Sequence, residues 1–108
     1  MGRSPSHHAV LILASVADEE RHGYAIKKDV ERRTSGDVRL GSTSLYRLLG
    51  QLLDDGLITE RAPAASESDQ RRRYYRVTPA GRRALAGELA RLERVLIAAR
   101  TAPGKRTS

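Results

Sequence analysis

The feature that most constrains the fold of this 108-residue chain is a run of leucines at helical spacing in its centre. They stand at i, i+3, i+4, i+7 and i+8, a full match to the amphipathic helix pattern: Leu45, Leu48, Leu49, Leu52 and Leu53. We expect Ser42 or Thr43 to cap this helix, and Gly56 to end it in a left-handed conformation. The opposite face of the helix carries Ser44, Tyr46, Arg47, Gly50, Gln51 and Asp54. Near the helix start these side chains are small or able to form hydrogen bonds, which is unusual for a face that only has to be soluble in water.

Two helices are predicted ahead of this one. The first opens with Ser4 as N-cap and Pro5 as first helical residue, and it is apolar around most of its circumference as far as Val16. The second runs from His22 to about Arg33 with a less regular apolar face. Within it, we expect Gly23 to permit close packing and Tyr24 to belong to the core.

Behind the leucine helix the pattern changes to that of a short β-hairpin. Residues 57–61 and 73–77 are predicted as strands, and residues 62–72 between them form a polar tip without apolar periodicity. Thr78 and Pro79 then supply the N-cap and first residue of a last helix of about 21 residues. Residues 102–108 are predicted to be a disordered tail.

The last helix has the spacing of a coiled-coil seam. Its apolar residues recur at intervals of four and three, a narrow stripe that suits a partner helix: Leu85, Leu89, Leu92, Leu96 and Ala99. The helix is too long for a core of three short helices and a hairpin, so we expect a second copy of the chain to cover the stripe. The alternative is that it packs only on its own domain.

Composition excludes several classes of protein. Cysteine is absent, so disulfides, thiolate metal sites and cysteine nucleophiles are excluded, and without Phe or Trp the core must be mainly aliphatic. The histidines form a poor metal site, because His7 and His8 are adjacent and His22 lies on another element. No catalytic triad, carboxylate pair or glycine-rich phosphate loop stands out, so no enzyme, cofactor or metal is expected. The longest apolar run is too short to span a bilayer and no signal-peptide pattern precedes it, so we expect a cytoplasmic protein.

The charge distribution points to an anionic partner. The formal net charge is +7, and residues 71–108 hold eleven basic against two acidic side chains, whereas residues 1–70 hold nine basic against eleven acidic. A block of this kind favours nucleic acid or an anionic membrane surface.

The order of elements predicts a mainly α fold with a small β-hairpin: a winged helix-turn-helix followed by a C-terminal dimerisation helix. We expect a DNA-binding domain over residues 1–78, with its wing at about 57–77, and the dimerisation helix over residues 79–101. Four short motifs, in this order and spacing, resemble the PadR family of bacterial transcriptional regulators: residues 22–26 (HGYAI), 44–49 (SLYRLL), 53–58 (LDDGLI) and 73–82 (RYYRVTPAGR). The resemblance covers about residues 9–96, and the single C-terminal helix resembles the family's short subgroup.

The resemblance implies a homodimeric repressor that small effectors release from operator DNA. The leucine helix is then the recognition helix in the major groove, and Arg47 is the best candidate for a base edge, because its planar fork can pair bidentately with guanine. Hydroxyls near the helix start can bind phosphates: Ser42, Thr43, Ser44 and Tyr46. The alternative for Tyr46 is that its ring packs against the first helix or the wing.

Three consecutive arginines would place the wing on the minor groove or the backbone, unless they form only a solvated loop: Arg71, Arg72 and Arg73. In some relatives an apolar space between the terminal helices takes planar molecules with the help of Trp. The absence of Trp and Phe puts such a pocket in doubt here. The competing interpretation of the whole chain is an adaptor that uses the winged domain and the heptad helix for protein contacts only.

Overall fold

The structure is a computed structural model that describes residues 5–62 and 73–101. Four helices and three strands follow one another along these ranges: α1 (His7–Asp18), β1 (Arg21–His22), α2 (Gly23–Arg33), α3 (Ser42–Asp54), β2 (Ile58–Arg61), β3 (Tyr74–Val77) and α4 (Pro79–Thr101). The predicted fold class, mainly helical with a small antiparallel sheet, is confirmed.

The start of α1 differs from the sequence prediction. Its N-cap is Ser6, whose hydroxyl accepts a hydrogen bond from the Ala9 amide at 3.2 Å. Pro5 precedes the cap, so the prediction of Ser4 and Pro5 as cap and first residue is wrong, and Ser4 lies outside the described residues. The helix also continues two residues beyond Val16, to Asp18.

The sheet has one more strand than the hairpin that we expected. All three strands are antiparallel in the order β1-β3-β2, with Arg21 opposite Tyr75 on one side of β3 and Ile58 opposite Val77 on the other. β1 has only two residues, which is too short for any alternation to show in the sequence. Its second residue, His22, is also the N-cap of α2, because its Nδ1 accepts a hydrogen bond from the Ala25 amide at 3.2 Å.

The N-cap of the leucine helix α3 lies before both predicted caps, one residue before Ser42 and two before Thr43. Gly41 is its N-cap, and Ser42 is the first helical residue. At the other end the prediction is confirmed, since Gly56 has a φ of +73°. The amide of Gly56 donates to the Leu53 carbonyl and that of Leu57 to the Leu52 carbonyl, the pattern of a Schellman C-cap.

The core lies where α1, α2, α3 and the sheet meet. Four of the five leucines of α3 are buried in it, and Leu53 packs at its edge. The rest of the core is mainly aliphatic, as the lack of Phe and Trp requires: Ile12, Leu13, Val16, Ile26, Val30, Leu40, Ile58, Tyr75 and Val77 are among its members. Tyr24, by contrast, is 60% exposed, so its predicted place in the core is wrong. α2 turns that side chain outward because its buried face is already formed by Gly23, Ile26, Asp29 and Val30.

The start of α4 is held against the end of α3. The Thr78 hydroxyl accepts a hydrogen bond from the Gly81 amide at 2.9 Å, as expected of an N-cap, and donates one to the Gly56 carbonyl at 2.7 Å. The Thr78 amide donates to the Leu57 carbonyl at 3.0 Å. Gly81 is buried, and a Cβ at that position would collide with the Leu57 carbonyl oxygen. The first turn of α4 therefore sits directly on the link between α3 and β2.

Candidate nucleic-acid interface

The outer face of α3 brings together the five residues predicted on it. Ser42, Thr43, Tyr46 and Arg47 are exposed and Ser44 is half-buried. They occupy the first two turns of α3. In the first turn of a helix the backbone amides lack intrahelical partners, and the helix dipole is positive at that end. This end of α3 therefore offers hydroxyl, amide and guanidinium donors to one side of the molecule, while the leucines hold the opposite side in the core.

Arg47 is an exposed cation on the outer face of α3. No hydrogen bond or ion pair joins it to residues 5–62 or 73–101. It lines an open cleft between α3 and the start of α1, together with Ser6, His8, Gln51 and Asp55. A guanidinium that is not already engaged keeps all five of its donors for another molecule.

Tyr46 lies against the start of α2. Its phenol lies over Gly23, the first residue of α2, while 54% of the residue stays exposed. A Cβ at position 23 would collide with the phenol oxygen and lie 3.1 Å from Cζ of the ring. The ring is therefore seated on α2 on one side and open on the other.

The described part of the wing carries exposed basic side chains. Arg73 precedes β3 and is exposed, as is Arg76 within it, whereas Arg71 and Arg72 lie outside the described residues. Arg61 of β2 is engaged on the molecule itself. Its Nε donates to the Glu20 carboxylate at 2.5 Å and its guanidinium lies 4.6 Å from the centre of the Tyr74 ring.

The outer face of α2 is a surface that sequence reasoning missed. Tyr24, Lys28 and Arg32 stand at i, i+4 and i+8, and all three are exposed. Lys28 Nζ lies 5.9 Å from the centre of the Tyr24 ring. The signal was present in the spacing, but the interpretation of Tyr24 as a core residue hid it.

A buried carboxylate joins the elements beneath this surface. Asp29 is 3% exposed; its Oδ2 accepts from Arg33 at 2.5 Å, its Oδ1 also pairs with Arg32, and Arg21 of β1 lies 3.7 Å away. Burial opposes the charged form, but hydrogen bonds from Arg33 and Arg32 and the charge of Arg21 outweigh it, so the pKa of Asp29 is lowered. Asp29 thereby ties α2 to the strand that precedes it.

The far half of α4 exposes an apolar stripe. Leu85 packs against the domain's own core, whereas Leu89, Leu92 and Leu96 are 50%, 44% and 48% exposed. Val95 and Ile97 add further exposed apolar surface. A run of large aliphatic side chains open to water on one helix is the mark of an interaction surface.

The described ranges lack both a metal-binding cluster and a membrane-spanning helix. Within residues 5–62 and 73–101, no cluster of three or more His, Asp or Glu side chains could hold a metal ion. Over the same ranges, no helix combines the length and the apolar character needed to cross a bilayer.

The fold and this surface define the winged-helix class of regulators. The sequence profile of the "Transcriptional regulator PadR-like family" matches residues 12–87, so the chain belongs to that family. Transcriptional regulator Rv3488 of Mycobacterium tuberculosis is 35% identical over 82 residues, which are 76% of this chain and 72% of that protein.

Solved structures agree in fold. A PadR family transcription regulator from Clostridium difficile superposes with a TM-score of 0.68 at 25% identity, over 85% of this chain and 91% of its own. Bacillus subtilis PadR, solved in complex with operator DNA, superposes with a TM-score of 0.68 at 23% identity, over 78% of this chain and 47% of its own.

Proposed function

We propose that this protein is a homodimeric, sequence-specific DNA-binding repressor. The observation that carries the proposal is the outer face of α3. There Arg47, which has no ion pair or hydrogen bond among the described residues, stands beside exposed hydroxyl side chains on a helix backed by buried leucines. A helix supported in this way can enter the major groove, where the donor and acceptor pattern distinguishes all four base pairs. The operator complex of Bacillus subtilis PadR supports the same use of the fold here.

In this proposal, different residues position the protein and read the sequence. Arg47 contacts a base edge, and Ser42, Thr43, Ser44 and Tyr46 bind the backbone around it. The wing, at about residues 57–77, adds phosphate contacts through Arg73, with Arg71 and Arg72 beside it in the sequence. Residues 1–78 thus form the DNA-binding domain.

Residues 79–101 form the dimerisation helix. Two copies bury the stripe of Leu89, Leu92 and Leu96 against one another, and Leu85 links that stripe to the core of its own domain. The two recognition helices then read half-sites of an inverted repeat about one helical turn apart. A small effector that binds between the copies would release the DNA. Because the protein has to reach the genome to act, we place it in the cytoplasm.

A titration at two salt concentrations tests the proposal. The protein is added to a labelled duplex from the region upstream of its own gene, and to a scrambled duplex of equal length and composition. We expect tighter binding to the upstream duplex at both concentrations, with affinity for each duplex falling as salt rises. Equal binding to both duplexes contradicts sequence specificity, and binding to neither favours the protein-contact adaptor.

A further inference from the structure

The packing of Tyr46 on Gly23 shows why position 23 holds glycine. Gly23 has an ordinary helical backbone, since the described glycines with positive φ are Gly36 and Gly56. Position 23 therefore does not need the conformational freedom of glycine. It needs the absence of a side chain, because a Cβ there would meet the phenol oxygen, Cζ and Cε1 of Tyr46.

The platform beneath the Tyr46 ring is rigidly held. Gly23 directly follows His22, which pairs with Tyr74 in the sheet and caps α2 through its Nδ1. The edge of the Tyr74 ring packs against the His22 ring, with 5.7 Å between centroids. The first turn of α2 is thus fixed to the sheet on one side and touches α3 on the other.

Tyr46 itself is placed where its orientation affects the proposed DNA contact. It neighbours Arg47 in the sequence and lies in the same two turns as Ser42 and Thr43. An exposed aromatic side chain without a fixed neighbour samples several rotamers, and binding then loses affinity because it has to order the side chain. A ring already seated on α2 avoids much of that cost.

From this geometry we infer that Gly23 is a positioning residue for operator binding, which acts by seating the Tyr46 ring on the start of α2. The inference rests on the proposed function for its effect on DNA, whereas the seating itself is a property of the free protein. Gly23 is buried, so we expect it to make no direct contact with DNA. Its effect passes entirely through Tyr46.

A double-mutant cycle in urea tests the seating without DNA. Gly23→Ala is compared in the wild-type and Tyr46→Ala backgrounds. We expect the urea midpoint to fall when Tyr46 is present, and to stay level or rise when it is absent, because alanine is the better helix former. An equal fall in both backgrounds overturns the inference, since Gly23 would then act without Tyr46.

The same variants are next titrated with the upstream duplex. We expect Gly23→Ala to weaken binding about tenfold, a coupling of about 1.4 kcal/mol, with an unchanged salt slope because no charge is altered. In the Tyr46→Ala background the same substitution should have no further effect. In the Gly23→Ala background, Tyr46→Phe removes the phenol oxygen that the alanine Cβ would meet. If Gly23→Ala alone folds poorly, this double variant should recover part of the lost DNA affinity.

Gly87→Ala is the matched control. Gly87 is an exposed helical glycine of α4 with no atom within 4 Å of an added Cβ, so this variant should bind DNA as the wild type does. A tenfold loss for Gly87→Ala as well, or unchanged affinity for Gly23→Ala, overturns the inference. A wild-type protein that does not distinguish the two duplexes contradicts the proposed function instead, and the urea cycle still decides whether Gly23 seats Tyr46.

Discussion

At the scale of single residues, α3 and the wing carry arginines suited to two different kinds of DNA contact. One kind recognises the base sequence, and the other binds the phosphate backbone of any sequence. Arg47 has a planar set of donors that no residue in the described ranges engages, on the helix that we propose reads the operator, whereas Arg73 stands beside a strand of the wing. The first is suited to a base edge and the second to phosphates. The effects of Arg47→Ala and Arg73→Ala on DNA binding can therefore be compared directly, because both substitutions remove the same type of side chain.

We expect Arg47→Ala to relax the preference at one base pair of each half-site by about 1–3 kcal/mol, because the bidentate contact is lost. Arg73→Ala should weaken all sequences alike and reduce the salt slope by about 0.9 per contact removed. Binding to a panel of single-base operator variants measures both effects. A uniform loss for Arg47→Ala would show that this side chain contacts only the backbone.

Asp29 provides a prediction about stability. Asp29→Asn removes the charge that Arg33 and Arg32 share, so we expect about 1.5–3 kcal/mol of destabilisation at pH 7 by urea unfolding. Because the pKa of Asp29 is lowered in the folded state, its contribution is present above the ordinary value of 3.8 and is lost as the pH falls below it.

The difference between wild type and Asp29→Asn should therefore shrink as the pH falls below that value. Asp37→Asn, at an exposed position in the turn after α2, is the control and should leave stability close to that of the wild type. A constant difference across the acid range would mean that the charge of Asp29 contributes nothing.

The residues of α3 could be assigned from sequence, but their partners could not. Leucine spacing alone divides the helix into a buried and an exposed face, which is why Ser42, Thr43, Tyr46 and Arg47 were found. The seat of Tyr46 on Gly23 joins positions 23 residues apart, and no local pattern records such a contact. Tyr24 was misassigned for a related reason, since an aromatic side chain in a short amphipathic helix suits a core or a surface equally.

At the scale of elements, the joint between α3, β2 and α4 leaves the least space around a glycine among the glycines that the structure describes. Gly81 lies against the Leu57 carbonyl and 2.7 Å separates its would-be Cβ from Val77 Cγ2. We expect Gly81→Ala to lower the free energy of unfolding by about 1–3 kcal/mol, because α4 must move away from the backbone of Leu57.

Gly87→Ala, on the same helix with open space around it, should instead stabilise the protein by about 0.5–1 kcal/mol. Thermal unfolding of the two variants side by side measures the contrast. Equal effects would show that Gly81 is not confined.

Element boundaries were predictable where a residue has one dominant role. Gly56 with its positive φ and Thr78 with its hydroxyl cap behave as their local chemistry requires. The caps of α1 and α3 were misplaced by one or two positions, because several serines and threonines compete near each start and tertiary packing selects among them. β1 exists only through its pairing with β3, so a two-residue strand carries no signal of its own.

At the scale of the whole molecule, the exposed stripe of α4 determines the assembly that we propose. We expect Leu92→Asp to yield monomers in analytical ultracentrifugation and to lose operator affinity, because a carboxylate would be buried against the partner helix. Gly87→Asp places the same charge at an exposed position off the stripe and should remain dimeric. A Leu92→Asp variant that stays dimeric would rule out this seam.

The clamp of Thr78 on Gly56 and Leu57 has a mechanical consequence in such a dimer. Since Thr78, which caps α4, is hydrogen-bonded to the turn that follows α3, we expect the two helices to move together. A tilt between the paired α4 helices would then shift the far tips of the two α3 helices. A ligand between the paired α4 helices could then control gene expression without any unfolding. It would need only to change the distance between the tips of the two α3 helices.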